Sequence, residues 1–509
     1  MSFATLTRRA PGRNRSPLPN DLPPDAGRAA AGIALVLVAQ LMLVLDATVV
    51  NVALPRIDAD LGFGPAALSW VLNAYTLSFG GLLLLGGRLG DVFGRRRVFE
   101  IGLAVFTAGS LFGGLAPSPG WLVAGRAAQG IGAALAAPGV LALLTTSAPD
   151  EAARNRALAL FGAVSSGGMS IGLLLGGFLT DIGSWRWTLF INIPIGLVVL
   201  SLTRRYLSET QRRPGRFDVV GAITATVGAV SIVWSLIGAP EHGWAASRTI
   251  GGLVLGAASL VALAVTERRV AHPLLRPALL RSRRRVGALA VMTLVVGAQF
   301  SMFFLVVQYF QRVLDFGPLA SGLAFLPLTV GIFAMSRVTP MLVARFGQAR
   351  LLMVGTIGLA ASFAWLSNVG AGSSYTTAVL APMLLNGVSA GLTFMPVTSL
   401  VLGGVEPEHA GSASGLLQTS QQLGGAVGLA VIVSVYAANG ELGAFVPGAR
   451  EAFLTSSLFA LLAFALTATT ILRRRGSGGA LPVAGRENRP AAMVKTRQSG
   501  TDTVRVPGR

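Results

Sequence analysis

Asp46 stands in "LDATVVNVALPRI" (45–57), inside an apolar run from Ala31 to Leu54 whose only other polar breaks are Gln40, Thr48 and Asn51. If that run crosses a bilayer, a carboxylate within it costs about 2.5–3.5 kcal/mol on insertion scales. At 100° per residue Gln40, Thr48 and Asn51 share one helix face, and Asp46 points the other way among Ala39, Met42, Leu43, Val50 and Ala53. Its own helix offers no partner, so burial favours the neutral carboxyl unless a cation from another helix offsets it. Arg126, in "GRAAQGIGAAL" (125–135), is the candidate cation. Counted at helical rise, Arg126 lies about 9 Å in from Gly120 and Asp46 about 12 Å in from Leu54, so the two can meet. Gln129, Gly130 and Ala133 extend a mostly small face from Arg126 and permit close helix approach. An acid that exchanges a proton beside a permanent cation suits proton coupling; a purely structural ion pair is the alternative reading.

A second constellation is "GGRLGDVFGRRR" (86–97). Gly87, Gly90 and Gly94 permit a tight turn and close approach. Asp91 can accept hydrogen bonds from the N-terminal end of a neighbouring helix, and Arg95 can pair with a carboxylate. Three arginines suffice to orient a loop; the added Asp and glycines read as a conformational latch. No catalytic or metal-ligating set accompanies these motifs. Cysteine is absent, and the three histidines, His242, His272 and His409, lie scattered in connecting segments. "GIGAA" has half of a dinucleotide fingerprint but no preceding strand. No cofactor is expected from these residues.

The elements that must position these residues are membrane spans. Of 509 residues 52% are hydrophobic and only 12% charged, with a mean hydropathy of +0.66. Soluble domains carry about 25% charged residues. Recurrent apolar runs predict an all-α polytopic protein rather than a barrel. Fourteen runs are expected near 31–54, 66–90, 98–116, 120–145, 157–180, 185–203, 217–238, 249–266, 286–311, 320–342, 349–368, 375–402, 413–437 and 452–472. The net charge of +20 could suggest nucleic acid, but the arginines cluster in alternate connecting segments without interleaved aromatics. Examples are 94–97, 212–216, 281–285 and 473–475, a positive-inside pattern that excludes a nucleic-acid partner and places both termini in the cytoplasm. The chain is thus expected as a multi-pass protein of the cell (cytoplasmic) membrane. Residues 1–30 show no cleavable signal peptide and read as a cytoplasmic tail; residues 473–509 read as a disordered tail.

Internal echoes organise the spans. "GGRLGDVFGRRR" is echoed by "MLVARFGQAR" (341–350), and "GLLLGGFL" (172–179) by "QLGGAVGLA" (422–430). Both offsets are eight spans. The simplest layout is a six-helix bundle at 31–205, two inserted helices within 206–285 and a second six-helix bundle at 286–472, with a substrate site between the halves.

Taken together, "LDATVVNVALPRI", "GRLGDVFGRRR", "GRAAQGIGAAL" and "WRWTLFINIPIG" (185–196) resemble the fourteen-span drug:proton antiporters of the major facilitator superfamily. "LASGLAFLPL" (319–328) and "GSASGLLQTSQQLGGAVGLAV" (411–431) add to the resemblance, which covers about residues 30–472. It implies two rocking bundles that export lipophilic compounds, drugs or antibiotics among them, as protons enter. It also implies a coupling role for Asp46 and Arg126 and a latch role for Asp91 and Arg95. The family's span-five motif usually has Gly-Pro before paired glycines; here Leu173 replaces the proline while Gly168, Gly172, Gly176 and Gly177 remain. Less bending is expected there. Cavity candidates are Asn73, Tyr75, Gln129, Gln299, Met302, Phe303, Gln308, Asn386, Phe394, Met395, Gln418 and Gln422. Asp46 is the only deep acid, so neutral or singly cationic lipophilic substrates are expected. A monomer is expected. The alternatives are an uncoupled facilitator, an exporter of an endogenous lipid-like metabolite and, from another class, a membrane sensor or, least favoured, an enzyme.

Overall fold

The structure, a computed structural model, describes residues 24–64, 67–210, 219–269, 281–370, 372–405, 410–439 and 445–472. The remainder of both tails, the 212–216 and 473–475 arginine clusters, His272 and His409 lie outside them. Every regular element among the described residues is helical. The first group is α1 (Pro24–Leu61), α2 (Trp70–Phe93), α3 (Arg95–Gly114), α4 (Pro119–Ser147), α5 (Glu151–Ile182), α6 (Trp187–Phe190) and α7 (Asn192–Tyr206). Next come α8 (Val219–His242) and α9 (Ser247–Arg269). The last group is α10 (Arg283–Arg312), α11 (Pro318–Ala324), α12 (Leu326–Phe346), α13 (Gln348–Leu366), α14 (Leu380–Leu402), α15 (Ala410–Asn439) and α16 (Phe445–Leu466).

Among the described residues eleven helices are long and apolar enough to cross a membrane, and a twelfth is added if the bent α2 counts as one span. α3, which opens on three arginines, and α5 occupy the positions of the expected third and fifth runs. The helices overrun several apolar runs: α1 continues past Leu54 through Pro55 to Leu61. The 185–203 and 320–342 runs each form one continuous crossing, Trp187–Tyr206 and Pro318–Phe346, in which α6 passes into α7 at Ile191 and α11 into α12 at Phe325 with both junction residues in helical conformation. α5, with Leu173 in place of proline, runs unbroken for 32 residues.

Glycine spacing explains which helices pair. On α4, Gly125 and Gly132 recur every seven residues and meet Gly113, Gly109 and Gly102 of α3, so the backbones touch. Gly168, Gly172 and Gly176 of α5 lie against Val44, Thr48 and Val49 of α1. The later group repeats this arrangement: Gly424 and Gly428 of α15 lie against Thr293 and Gly297 of α10. The echo between 172–179 and 422–430 is thus an echo of packing. Without a hydrophobic drive between helices in lipid, such close van der Waals contact supplies the association energy.

The two groups meet at three seams. Gln311 Nε2 donates to Val52 O at 2.8 Å, and Arg312 pairs with Asp58 at 2.5 Å, joining α10 to α1. Gly177 packs on Pro318 and Gly322 on Leu173, joining α5 to α11. Gly80 of α2 packs on Gln422 of α15. α8 covers this last seam from outside, with Ala229, Val233 and Ile237 against Leu77, Ala426 and Ala430. Ser434 Oγ of α15 donates to Leu236 O of α8.

A side chain at Gly176 would collide with the Val49 backbone, whereas one at Gly120 would meet nothing within 4 Å. Gly176→Val is expected to destabilise the protein by about 1–3 kcal/mol through overpacking. Thermal unfolding of the purified protein should show a lowered midpoint for Gly176→Val and an unchanged one for Gly120→Ala.

Candidate functional site

The polar face of α1 is settled by α5 and by its own backbone. Gln40 Nε2 donates to Ser165 Oγ at 3.1 Å, Thr48 Oγ1 to Val44 O at 3.1 Å and Asn51 Nδ2 to Ala47 O at 3.0 Å. Asp46, on the opposite face, projects among α3, α4 and α7 and is 1% exposed. Arg126 Nη1 donates to Asp46 Oδ2 at 2.6 Å and to Gln129 Oε1 at 2.8 Å. Asp46 Oδ1 accepts from Gln129 Nε2 at 2.7 Å and from Asn192 Nδ2 at 2.8 Å. Gln129 Nε2 also donates to Ser110 Oγ at 2.7 Å, and that hydroxyl donates to Phe106 O at 2.9 Å. Both carboxylate oxygens are therefore engaged, which is what makes a fully buried ion pair tolerable.

The cluster reaches α2 through the arginine. Arg126 Nε donates to Val71 O at 3.0 Å, and its guanidinium lies 4.5 Å from the centroid of the Tyr75 ring. Gly130, one turn along α4 from Arg126, admits the Tyr75 carbonyl and the Ser78 side chain. Tyr75 and Gln129, expected on a cavity wall, thus sit in the ion-pair cluster. Asn192 and Ser110 were absent from the sequence-derived site. Each shows only as a single polar residue in an apolar run, a weak signal.

The remaining cavity candidates disperse. Asn386 Nδ2 donates to Ser362 Oγ of α13 at 2.9 Å, and Gln308 Nε2 to Phe304 O at 3.2 Å. Met302 is core, and Phe303 stacks on Phe325 with ring centroids 5.5 Å apart. Asn73 and Gln299 are buried, Phe394 is half-buried, and Met395 and Gln418 are exposed. Gln422 lies on the α2–α15 seam.

In the 86–97 hairpin, Asp91 pairs with Arg95 one turn along, through Nη2 at 2.9 Å and Nε at 3.1 Å. Gly87 approaches Pro138 of α4. The helix N-terminus in this hairpin, that of α3, is met by Glu209, whose carboxylate accepts from Arg96 N at 3.0 Å and Arg97 N at 3.2 Å. Thr210 Oγ1 accepts from Arg95 N at 3.2 Å. Gly94 is required twice over: its φ is +104°, and a Cβ there would lie 2.6 Å from the Glu209 carboxyl carbon. Glu209 follows α7 in an irregular stretch, where an acid ordinarily reads as a solvated loop residue.

Arg126→Lys keeps the charge but loses the planar fork that serves Asp46, Gln129 and Val71 together. Each buried hydrogen bond lost costs about 1–3 kcal/mol. The expected result is a folded but less heat-stable protein, measured by thermal unfolding in detergent; an unchanged midpoint would show that only a point charge is needed.

Residues 36–429 match the family profile of the Major Facilitator Superfamily. The chain is 41% identical to the puromycin resistance protein pur8 of Streptomyces alboniger, over 79% of this chain and 81% of that protein. It is 42% identical to the cephamycin export protein CmcT of Amycolatopsis lactamdurans, over 80% and 85% respectively. Among solved structures, the peptide transporter PepTSo superposes with a TM-score of 0.64 at 15% identity, over 86% of this chain and 97% of that one. The inward-open xylose transporter XylE from E. coli gives 0.56 at 15% identity, over 87% and 96%.

Proposed function

The chain belongs to the Major Facilitator Superfamily, and we propose that it exports lipophilic small molecules, antibiotics among them, by proton antiport through alternating access. Relatives with resistance and export names support the substrate class. In this reading α3 and α5 join the other spans to make fourteen crossings of the cell membrane. Two six-helix halves flank α8 and α9, and both termini are cytoplasmic. The Asp58–Arg312 and Gly177–Pro318 contacts then lie on the external side, and the described state is closed outward.

The observation that carries the proposal is the water-excluded Asp46–Arg126 pair and its direct tie to α2. With Asp46 charged, one oxygen holds Arg126 and the other holds the amides of Gln129 and Asn192. A proton arriving on Asp46 removes the charge that Arg126 faces and turns one acceptor oxygen into a donor. A proton on Oδ2 sets a donor against Arg126, which then holds only to Gln129 Oε1, Val71 O and the Tyr75 ring, whereas a proton on Oδ1 sets it against the two amides. The two protonation states therefore favour different placements of α2, and through the Gly80–Gln422 contact different relations between the halves. Asp91 and Arg95, paired within their own hairpin, are read as the cytoplasmic latch released in this state. A site with no second deep acid suits neutral or monocationic substrates, held mainly by apolar burial.

The proposal is tested with Asp46→Asn in vesicles carrying an imposed pH gradient and a monocationic dye. Gradient-driven uptake should vanish while the protein remains inserted; undiminished uptake would remove Asp46 from coupling. The external closure generates a second test. Asp58→Asn and Arg312→Gln should each raise labelling, from outside, of a cysteine introduced at Gln422 in this cysteine-free chain. Equal labelling across wild-type and variant backgrounds would show that the pair does not hold the halves together.

A further inference from the structure

We infer that Arg337 and Phe333 of α12 form a binding site for the phosphate of an anionic phospholipid in the cytoplasmic leaflet, at the inner mouth of the seam between α5 and α12. Arg337 lies within the expected 320–342 span, five residues from its cytoplasmic end, or about 7.5 Å at helical rise. It is exposed, its guanidinium carbon sits 5.1 Å from the Phe333 ring centroid, and among the described residues it pairs with no carboxylate. An intramembrane cation without a protein partner marks a functional position by default.

Its surroundings select the ligand. Gly331, Met335 and Thr339 face α14, where a Cβ on Gly331 would touch Val388 N, Met335 packs on Gly391 and Thr339 Oγ1 donates to Gly391 O. Arg337 is on the opposite side of the helix at 100° per residue, in a stripe with the exposed Leu326, Val330, Phe333 and Met341. That stripe continues the side by which Gly322 of α11 packs on Leu173 of α5. Further toward the cytoplasm, a Cβ on Gly167, two turns before Leu174 on α5, would meet no described atom within 4 Å. The pseudo-equivalent seam between α2 and α15 is covered by α8.

A ligand seated here meets hydrocarbon-like surface along its length and one guanidinium at its head. The Phe333 ring lies beside that guanidinium, whose planar fork of N–H donors can grip a phosphate through two oxygens. The flanking Arg345 and Arg350 add positive charge at the leaflet surface, which favours anionic headgroups. Acyl chains would lie along Val330 and Leu326, in the path α5 and α12 must take to close at their inner ends. The lipid therefore stabilises the open seam.

Native mass spectrometry of the full chain, equilibrated with equal amounts of phosphatidylglycerol and phosphatidylcholine of matched chains, reads the site directly. Wild type should retain phosphatidylglycerol preferentially. Arg337→Gln should reduce that retention about fivefold, the effect of one basic residue near a membrane surface, while Arg337→Lys, which keeps the charge but loses the planar fork, should restore only part of it. Unchanged size-exclusion and circular-dichroism profiles establish that the variants fold. Equal retention of the two lipids by wild type, or equal phosphatidylglycerol retention by wild type and Arg337→Gln, would overturn the site. Release of the lipid by millimolar inorganic phosphate would overturn the assignment to a lipid headgroup. So would unchanged retention in Arg337→Gln with lost export of an acidic compound, which would make Arg337 a substrate contact.

Discussion

A charged pair without access to water constrains everything around it. The effective penalty of burying each ion is several kcal/mol, and attraction between the two offsets it only when geometry is close and the remaining hydrogen-bonding capacity is used. Asp46 and Arg126 meet this condition because four helices deliver donors and acceptors to one point. α3 brings Ser110 near α4 only because glycines let the two backbones touch. α7 brings Asn192 from its first turn. Glycine content, usually a destabilising choice in helix interiors, is here the condition for the ion pair.

The same constraint fixes what the pair can communicate. Asp46 points away from the second half of the chain, and the cross-seam hydrogen bond and ion pair involve other residues of α1, Val52 and Asp58. A change of charge at Asp46 therefore reaches the seams through helices and not through direct contact. α2 is the natural conductor, since Arg126 bonds its backbone at Val71 and stacks on Tyr75, while Gly80 and Gly81 on the same helix touch α15 and α8. Rigid helices with two preferred placements are what such coupling requires.

Charge made half of this legible in the sequence. Asp46 and Arg126 announce themselves because a charge in an apolar run is costly, and matched depth was enough to pair them. Asn192, Ser110 and Glu209 had no such signal. Neutral polar residues in spans often satisfy themselves on the preceding turn, as Thr107 and Thr203 do here, so nothing distinguished Asn192 beforehand. Glu209 acts across 112 residues from Arg97, a relation no local pattern encodes. Tyr75 and Gln129 were placed on the right helices, but a helical wheel gives a direction and not the neighbour that covers it. Span positions followed from hydropathy, and the 185–203 and 320–342 runs are each a single crossing.

The covering of the α2–α15 seam by α8 bears on how the molecule can move. α8 touches both halves, so it cannot travel as a passenger of one without slipping against the other. The surfaces involved mix small residues, Gly81, Ala229, Ala426 and Ala430, with Leu77, Val233 and Ile237. Small side chains leave shallow ridges, and shallow ridges resist sliding less than interlocked ones. This edge is suited to shear, the gliding of packed helices over a fraction of a turn. The opposite edge, where no third helix bridges α5 and α12 among the described residues, carries no such bearing. A motion pinned along one edge and free along the other swings like a door, with α8 as its jamb.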